Sequence, residues 1–88
     1  MASYSVVLKP SVEKDLRALP KSVVRRVWDR IEGLARKPLS RQSVKLAGAE
    51  RLYRVRVGDY RIIYGVETDA RRVIVHYVRH RSQAYRGL

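Results

Sequence analysis

The 88-residue chain contains no cysteine, which excludes a disulfide framework and any thiolate metal site. That absence fits a reducing compartment, and the cytoplasm is the expected location. No uncharged apolar run approaches the ~20 residues that a membrane span requires, so no membrane partner is expected. The opening Met1-Ala2-Ser3-Tyr4 lacks the basic and apolar regions of a secretory signal. Neither a glycine-rich phosphate loop nor the Ser-His-carboxylate spacing of a hydrolytic triad is present. His76 and His80 stand four apart, on a strand and just beyond it, without an Asp or Glu cluster. Such a pair makes a poor metal site, and neither a metal nor another cofactor is expected. There are no repeats, low-complexity tracts or linkers, so residues 1–88 are expected to form one domain. A chain this short buries only roughly 60–65% of its unfolded surface.

Acidic residues are the remaining scarcity, and they define the chemistry. Eight Asp and Glu face twenty Lys and Arg, leaving a formal net charge of +12. Arginine, which grips phosphate through two parallel donors, heavily outnumbers lysine. This balance implies a polyanionic partner: nucleic acid, an anionic membrane surface or an acidic protein. The plainer alternative is a basic surface that serves solubility alone.

Along the chain, Tyr4–Lys9 reads as a short β-branched strand ending at Pro10. Ser11 offers an N-cap, and Val12, Leu16 and Leu19 recur on one face of a short helix. Pro20 breaks that helix and opens a longer one over residues 21–36, with Val24, Val27, Ile31 and Leu34 as its apolar stripe. Arg25, Arg26, Arg30 and Glu32 face away from the stripe, and Lys37-Pro38 ends the helix. Residues 39–51 read as a loop with some ordered backbone. From Leu52 the period changes to two, giving strands at Leu52–Val57, Tyr60–Glu67 and Arg72–Arg79. The expected fold is α+β, ordered β-α-α-β-β-β, with a helical hairpin packed on a small, mostly antiparallel sheet.

The first sheet hairpin concentrates charge. If Gly58-Asp59 is a two-residue turn, Arg56 faces Arg61 across the ladder, and Arg54 shares their face. Opposed like charges destabilise a ladder by up to about 1 kcal/mol per pair, and a bound phosphate removes that penalty. Simple solubility of exposed strand arginines is the competing explanation. Arg79 joins the group if the Asp69–Arg71 loop counts three residues, and turns away if the loop is two or four. Tyr85 is placed either to stack on a base or to pin the tail to the core. His80 adjoins the arginines as a possible proton carrier. The tyrosines at 53, 60, 64 and 77 suit a packed sheet face, and Trp28 either packs or anchors a partner.

The segment Leu52–Tyr64 (LYRVRVGDYRIIY) resembles the central hairpin of the RelE/ParE toxin superfamily. The ending Val78–Arg86 resembles the C-terminus of its RelE-type messenger RNA interferase branch. The opening strand, Lys14-Asp15-Leu16 and Leu19-Pro20 fit the same pattern. The resemblance implies the toxin of a type II toxin–antitoxin system, cutting messenger RNA on the ribosome. In that chemistry the ribose 2′-hydroxyl attacks its own 3′ phosphate and a cyclic phosphate remains. It implies phosphate-binding and transition-state roles for Arg54, Arg56, Arg61 and Arg79 and a stacking or activating role for Tyr85. Beside these, His80 is a candidate catalytic proton carrier and Arg81 a candidate phosphate contact by their place next to the arginines. The implied partners are the ribosome, messenger RNA and a cognate antitoxin whose acidic segment covers the arginines in a hetero-oligomer. Operator DNA is reached only through the antitoxin. Familiar RelE-type enzymes carry lysines where this chain has Arg54 and Arg56, and a guanidinium does not act as general base. The base then falls to Tyr85, His80 or a group of the RNA or ribosome, and the acid to Arg79 or His80. Two alternatives share the fold: a ParE-like inhibitor of DNA gyrase, and an inactive relative that only binds RNA or antitoxin.

Overall fold

The computed structural model describes residues 3–46 and 51–84. The chain runs β1 (Ser5–Leu8), α1 (Pro10–Arg17), α2 (Lys21–Arg36), β2 (Val44–Lys45), β3 (Leu52–Val57), β4 (Tyr60–Glu67) and β5 (Arg72–His80). The strands form one sheet in the order β1-β5-β4-β3-β2, in which only the β1–β5 pair is parallel. This is the expected α+β architecture, with one more short strand at the edge.

Ser11 does not cap α1. The helix starts one residue earlier, at Pro10, whose fixed φ and missing N–H suit the first helical position. Ser11 Oγ instead donates to the His76 carbonyl at 3.2 Å, tying α1 to β5. α2 spans the sixteen residues that its apolar period marks, and it stops before Pro38. Its buried stripe is Val27, Ile31 and Leu34, with Val23 packed beside it and Val24 half-buried.

Both helices cover one face of the sheet. Val55, Ile62, Val75 and Val78 point into the same cluster as Val12, Val27, Ile31 and Leu34. Tyr64 is fully buried there, and its hydroxyl donates to the Pro38 carbonyl at 2.6 Å. Ser43 Oγ lies 2.5 Å from the same hydroxyl. These contacts pin the segment after α2 against the sheet and deliver Val44–Lys45 to the edge of β3. Among the described residues, no helix is long and apolar enough to cross a membrane.

Candidate nucleic-acid interface

Gly58 and Asp59 form the two-residue turn, with Val57 opposite Tyr60 and Arg56 opposite Arg61. Gly58 takes a φ of +58°, which a side chain tolerates poorly. Strand alternation then puts Arg54, Arg56 and Arg61 on the face away from the helices.

Arg79 reaches that face by a different route. Glu67 pairs with Arg72, so the connecting loop is Thr68–Arg71, four residues. In a regular ladder that length would turn Arg79 to the helix side. The register shifts between Ile63 and Tyr64, however, because β5 carries one extra residue, His76, between Val75 and Tyr77. This β-bulge restores the alternation: Ile63 faces Tyr77 and Arg61 faces Arg79. The outcome is two adjacent rows, Arg56-Arg61-Arg79 and Arg54-Ile63-Tyr77. Ile63 is fully buried outside the helix-side cluster.

The side chains in these rows are held unequally. Arg61 folds back over the turn, with Nη1 donating to the carbonyls of Gly58 (3.0 Å) and Tyr60 (2.9 Å). The Arg79 guanidinium lies 4.1 Å from the centre of the Tyr77 ring, a cation–π contact. Among the described residues no carboxylate pairs with Arg54, Arg56 or Arg61. The like charges of Arg54, Arg56 and Arg61 therefore neighbour one another with no carboxylate between them among the described residues.

His80 is not part of this constellation. It pairs with Tyr60, and alternation puts it on the helix side, with its ring edge-on to Tyr60 at 5.5 Å. Its Nδ1 lies 2.9 Å from Ser82 Oγ. Proximity in sequence to Arg79 and Arg81 placed it near the arginines, but adjacent strand residues point to opposite faces. The main-chain amide of Arg81 donates to the Asp59 carbonyl at 2.7 Å, which fastens the end of β5 to the hairpin turn. Tyr85 lies outside the described residues. Of the four sheet tyrosines, Tyr53, Tyr60 and Tyr64 occupy the helix side, whereas Tyr77 lies with the arginines.

Two contributors escaped the sequence reading. Asp15 of α1 accepts the Val78 amide at 3.1 Å and lies 3.9 Å from Arg79 Nε. β1 accompanies β5 only as far as Val75, so the outward amide of Val78 needs another acceptor. Arg30 of α2 is the second. It lines a groove of about 430 Å³ together with Gln42, Val44, Arg54 and Arg56. Its place on the outer helix face was readable, but not how that face overhangs β3. At the opposite end of the open face, Leu52, Gly65, Ile74 and His76 help line a groove of about 650 Å³. Burial, and then the Lys9 charge, hold the His76 pKa below its ordinary value.

A helical hairpin on a five-stranded sheet with a cross-strand arginine row defines a small, basic α+β protein, and known proteins share that architecture. Residues 6–85 match the family model described as the ParE toxin of the type II toxin–antitoxin system parDE. The chain is 33% identical over 87 residues to a candidate toxin RelE1 of Methanocaldococcus jannaschii, covering 96% of this chain and 97% of that protein. The toxin in the archaeal RelE–RelB complex of Pyrococcus horikoshii superposes with a TM-score of 0.80 at 34% identity. That match covers 96% of this chain and 100% of the other. The RelBE2 toxin–antitoxin complex of Mycobacterium tuberculosis gives 0.79 at 27% identity, over 89% of this chain and 98% of that one. The chain belongs to the RelE/ParE superfamily of type II toxin–antitoxin toxins.

Proposed function

We propose that this toxin is a ribosome-dependent messenger RNA endonuclease. The observation that carries the reading is the Arg56-Arg61-Arg79 row, completed by a bulge that re-aims Arg79 beside Tyr77. The ribose 2′-oxygen attacks the adjacent phosphorus, the bond to the 5′-oxygen of the next nucleotide breaks, and a 2′,3′-cyclic phosphate forms. Charge accumulates on the phosphate oxygens as this happens, and fixed guanidinium donors stabilise it. Arg54 and Arg56 hold the phosphate, Arg61 and Arg79 brace the transition state, and Arg81 extends the basic surface. A guanidinium keeps its protons at physiological pH. Taking the 2′ proton and protonating the leaving oxygen therefore fall to Tyr85 or to groups of the RNA and ribosome.

The partner that keeps such a toxin silent is an antitoxin, and the solved relatives from P. horikoshii and M. tuberculosis are toxin–antitoxin complexes. Its acidic segment covers the arginines. Trp28, 40% exposed on α2, offers an apolar anchor for the same chain. The family model's ParE description favours a second reading, inhibition of DNA gyrase without RNA chemistry. Translation reactions with and without the purified protein, mapped for cut sites beside a gyrase supercoiling assay, decide between them. Discrete message cleavage with unimpaired supercoiling is expected; intact message with blocked supercoiling assigns the ParE function.

A further inference from the structure

The arginine face does not stop at the edge of the sheet. β2 pairs with β3 only at Arg54 and Tyr53, so the edge of β3 nearer the turn has no strand beside it. α2 passes over that edge. Arg30 lines one groove with Arg54 and Arg56, and a second with Arg26, Asp29, Gly33 and Val57. Arg30 Nη1 donates to Gln42 Oε1, an interaction that holds the guanidinium over the first groove. Arg26 lies against the turn: a Cβ built on Gly58 would sit 3.3 Å from both of its terminal nitrogens. Arg54, Arg56, Arg30 and Arg26 thus form an arc from the open face around the β3 edge to the turn that Arg61 caps.

This arc carries its own electrostatic cost. Arg26 and Arg30 are i,i+4 on one helix, where like charges weaken the helix instead of supporting it. Asp29 lines the groove with them, yet among the described residues it makes no ion pair with either. An extended chain of phosphates would relieve both this repulsion and that of the strand row. We infer that Arg26 and Arg30 form a second phosphate track, which binds the backbone of single-stranded RNA flanking the phosphate held by Arg54, Arg56 and Arg61. The inference rests on the RNA-cutting reading and adds a stretch of substrate to it.

The test uses uncleavable 2′-O-methyl RNA of two lengths, three and nine nucleotides, with affinity followed over a fourfold range of salt. Each lost phosphate contact lowers the log–log salt slope by about 0.7 on a single strand. For the nonamer, Arg26→Ala/Arg30→Ala should lower the slope by about 1.4, so the affinity lost over that salt range shrinks about sevenfold. The trimer should bind the double variant nearly as well as the wild type. Arg72→Ala, an exposed arginine paired with Glu67 at the far end of β5, controls for net charge. A double variant that keeps the wild-type slope and the full gain from trimer to nonamer overturns the track alone. A wild-type protein that binds neither RNA overturns the track as well, whereas the RNA-cutting reading stands or falls on the translation reactions.

Discussion

The two faces of the sheet come from the same strands by the same alternation, and they are built for opposite ends. The helix side presents Val55, Ile62, Val75 and Val78 to an apolar cluster, and the Tyr64 hydroxyl buried there is hydrogen-bonded. The other side sets arginine opposite arginine on three successive strands, where cross-strand like charge weakens the ladder. One face stores stability and the other spends part of it. Compensation comes from the surroundings: the turn carbonyls hold Arg61, and Tyr77 and Asp15 hold Arg79.

Stability measurements are the most forceful way to break this contrast. Ile31, 2% exposed at the centre of the helix-side cluster, should cost about 2–5 kcal/mol on truncation to alanine. For a domain of this size that lowers Tm by roughly 10 °C or more. Arg56→Ala should leave Tm unchanged or slightly raised, because it relieves repulsion with Arg61. Equal losses in the two variants, read by circular dichroism melts, would erase the distinction between the faces.

Tyr64→Phe probes a smaller effect on the same side. It removes the donor to the Pro38 carbonyl, costing about 1–3 kcal/mol if that carbonyl stays buried without a partner. Burial raises the Tyr64 pKa above 10.0, against the lowering effect of the Ser43 hydrogen bond. The folded state therefore keeps a proton that the unfolded chain releases. This stabilising contribution is complete below pH 10 and is lost as pH rises through the folded value. The phenylalanine variant should lose that alkaline component, which denaturant melts between neutral pH and pH 11 would reveal.

The smallest effect belongs to His76, at the bulge. Its pKa is lowered on folding, so as pH falls below 6.5 the unfolded chain takes up the proton first. Stability from this group is present above pH 6.5 and is lost as pH falls through the folded value. His76→Gln should flatten the urea midpoint between pH 5 and 7 by a small, measurable amount. An unchanged profile would place the ring in a wetter setting than the groove suggests.

Legibility in the sequence followed the range of the interactions involved. The β3–β4 register was readable because a two-residue turn fixes it locally, and α2 because a 3.6-residue period and Pro38 bound it. The bulge was not, since loop length and an extra strand residue can compensate each other: a four-residue loop alone would have turned Arg79 away. His80 was misplaced because closeness in sequence says nothing of face. Ser11 lost its expected capping role to Pro10, which fits the first helical turn better than the position before it. Arg30 and Asp15 depend on how the helices cross the sheet, a property of packing that no single segment encodes.

The central claim is that the arginine row stabilises a transition state and not merely a bound complex. Single-turnover cleavage of ribosome-bound message by wild type and Arg61→Ala tests it most directly, with Tm measured on both. Losing one such donor costs about 2.7–4 kcal/mol, so the rate should fall roughly 10²–10³-fold with Tm changed by no more than a few degrees. Cleavage at the wild-type rate by a folded Arg61→Ala protein would contradict the account.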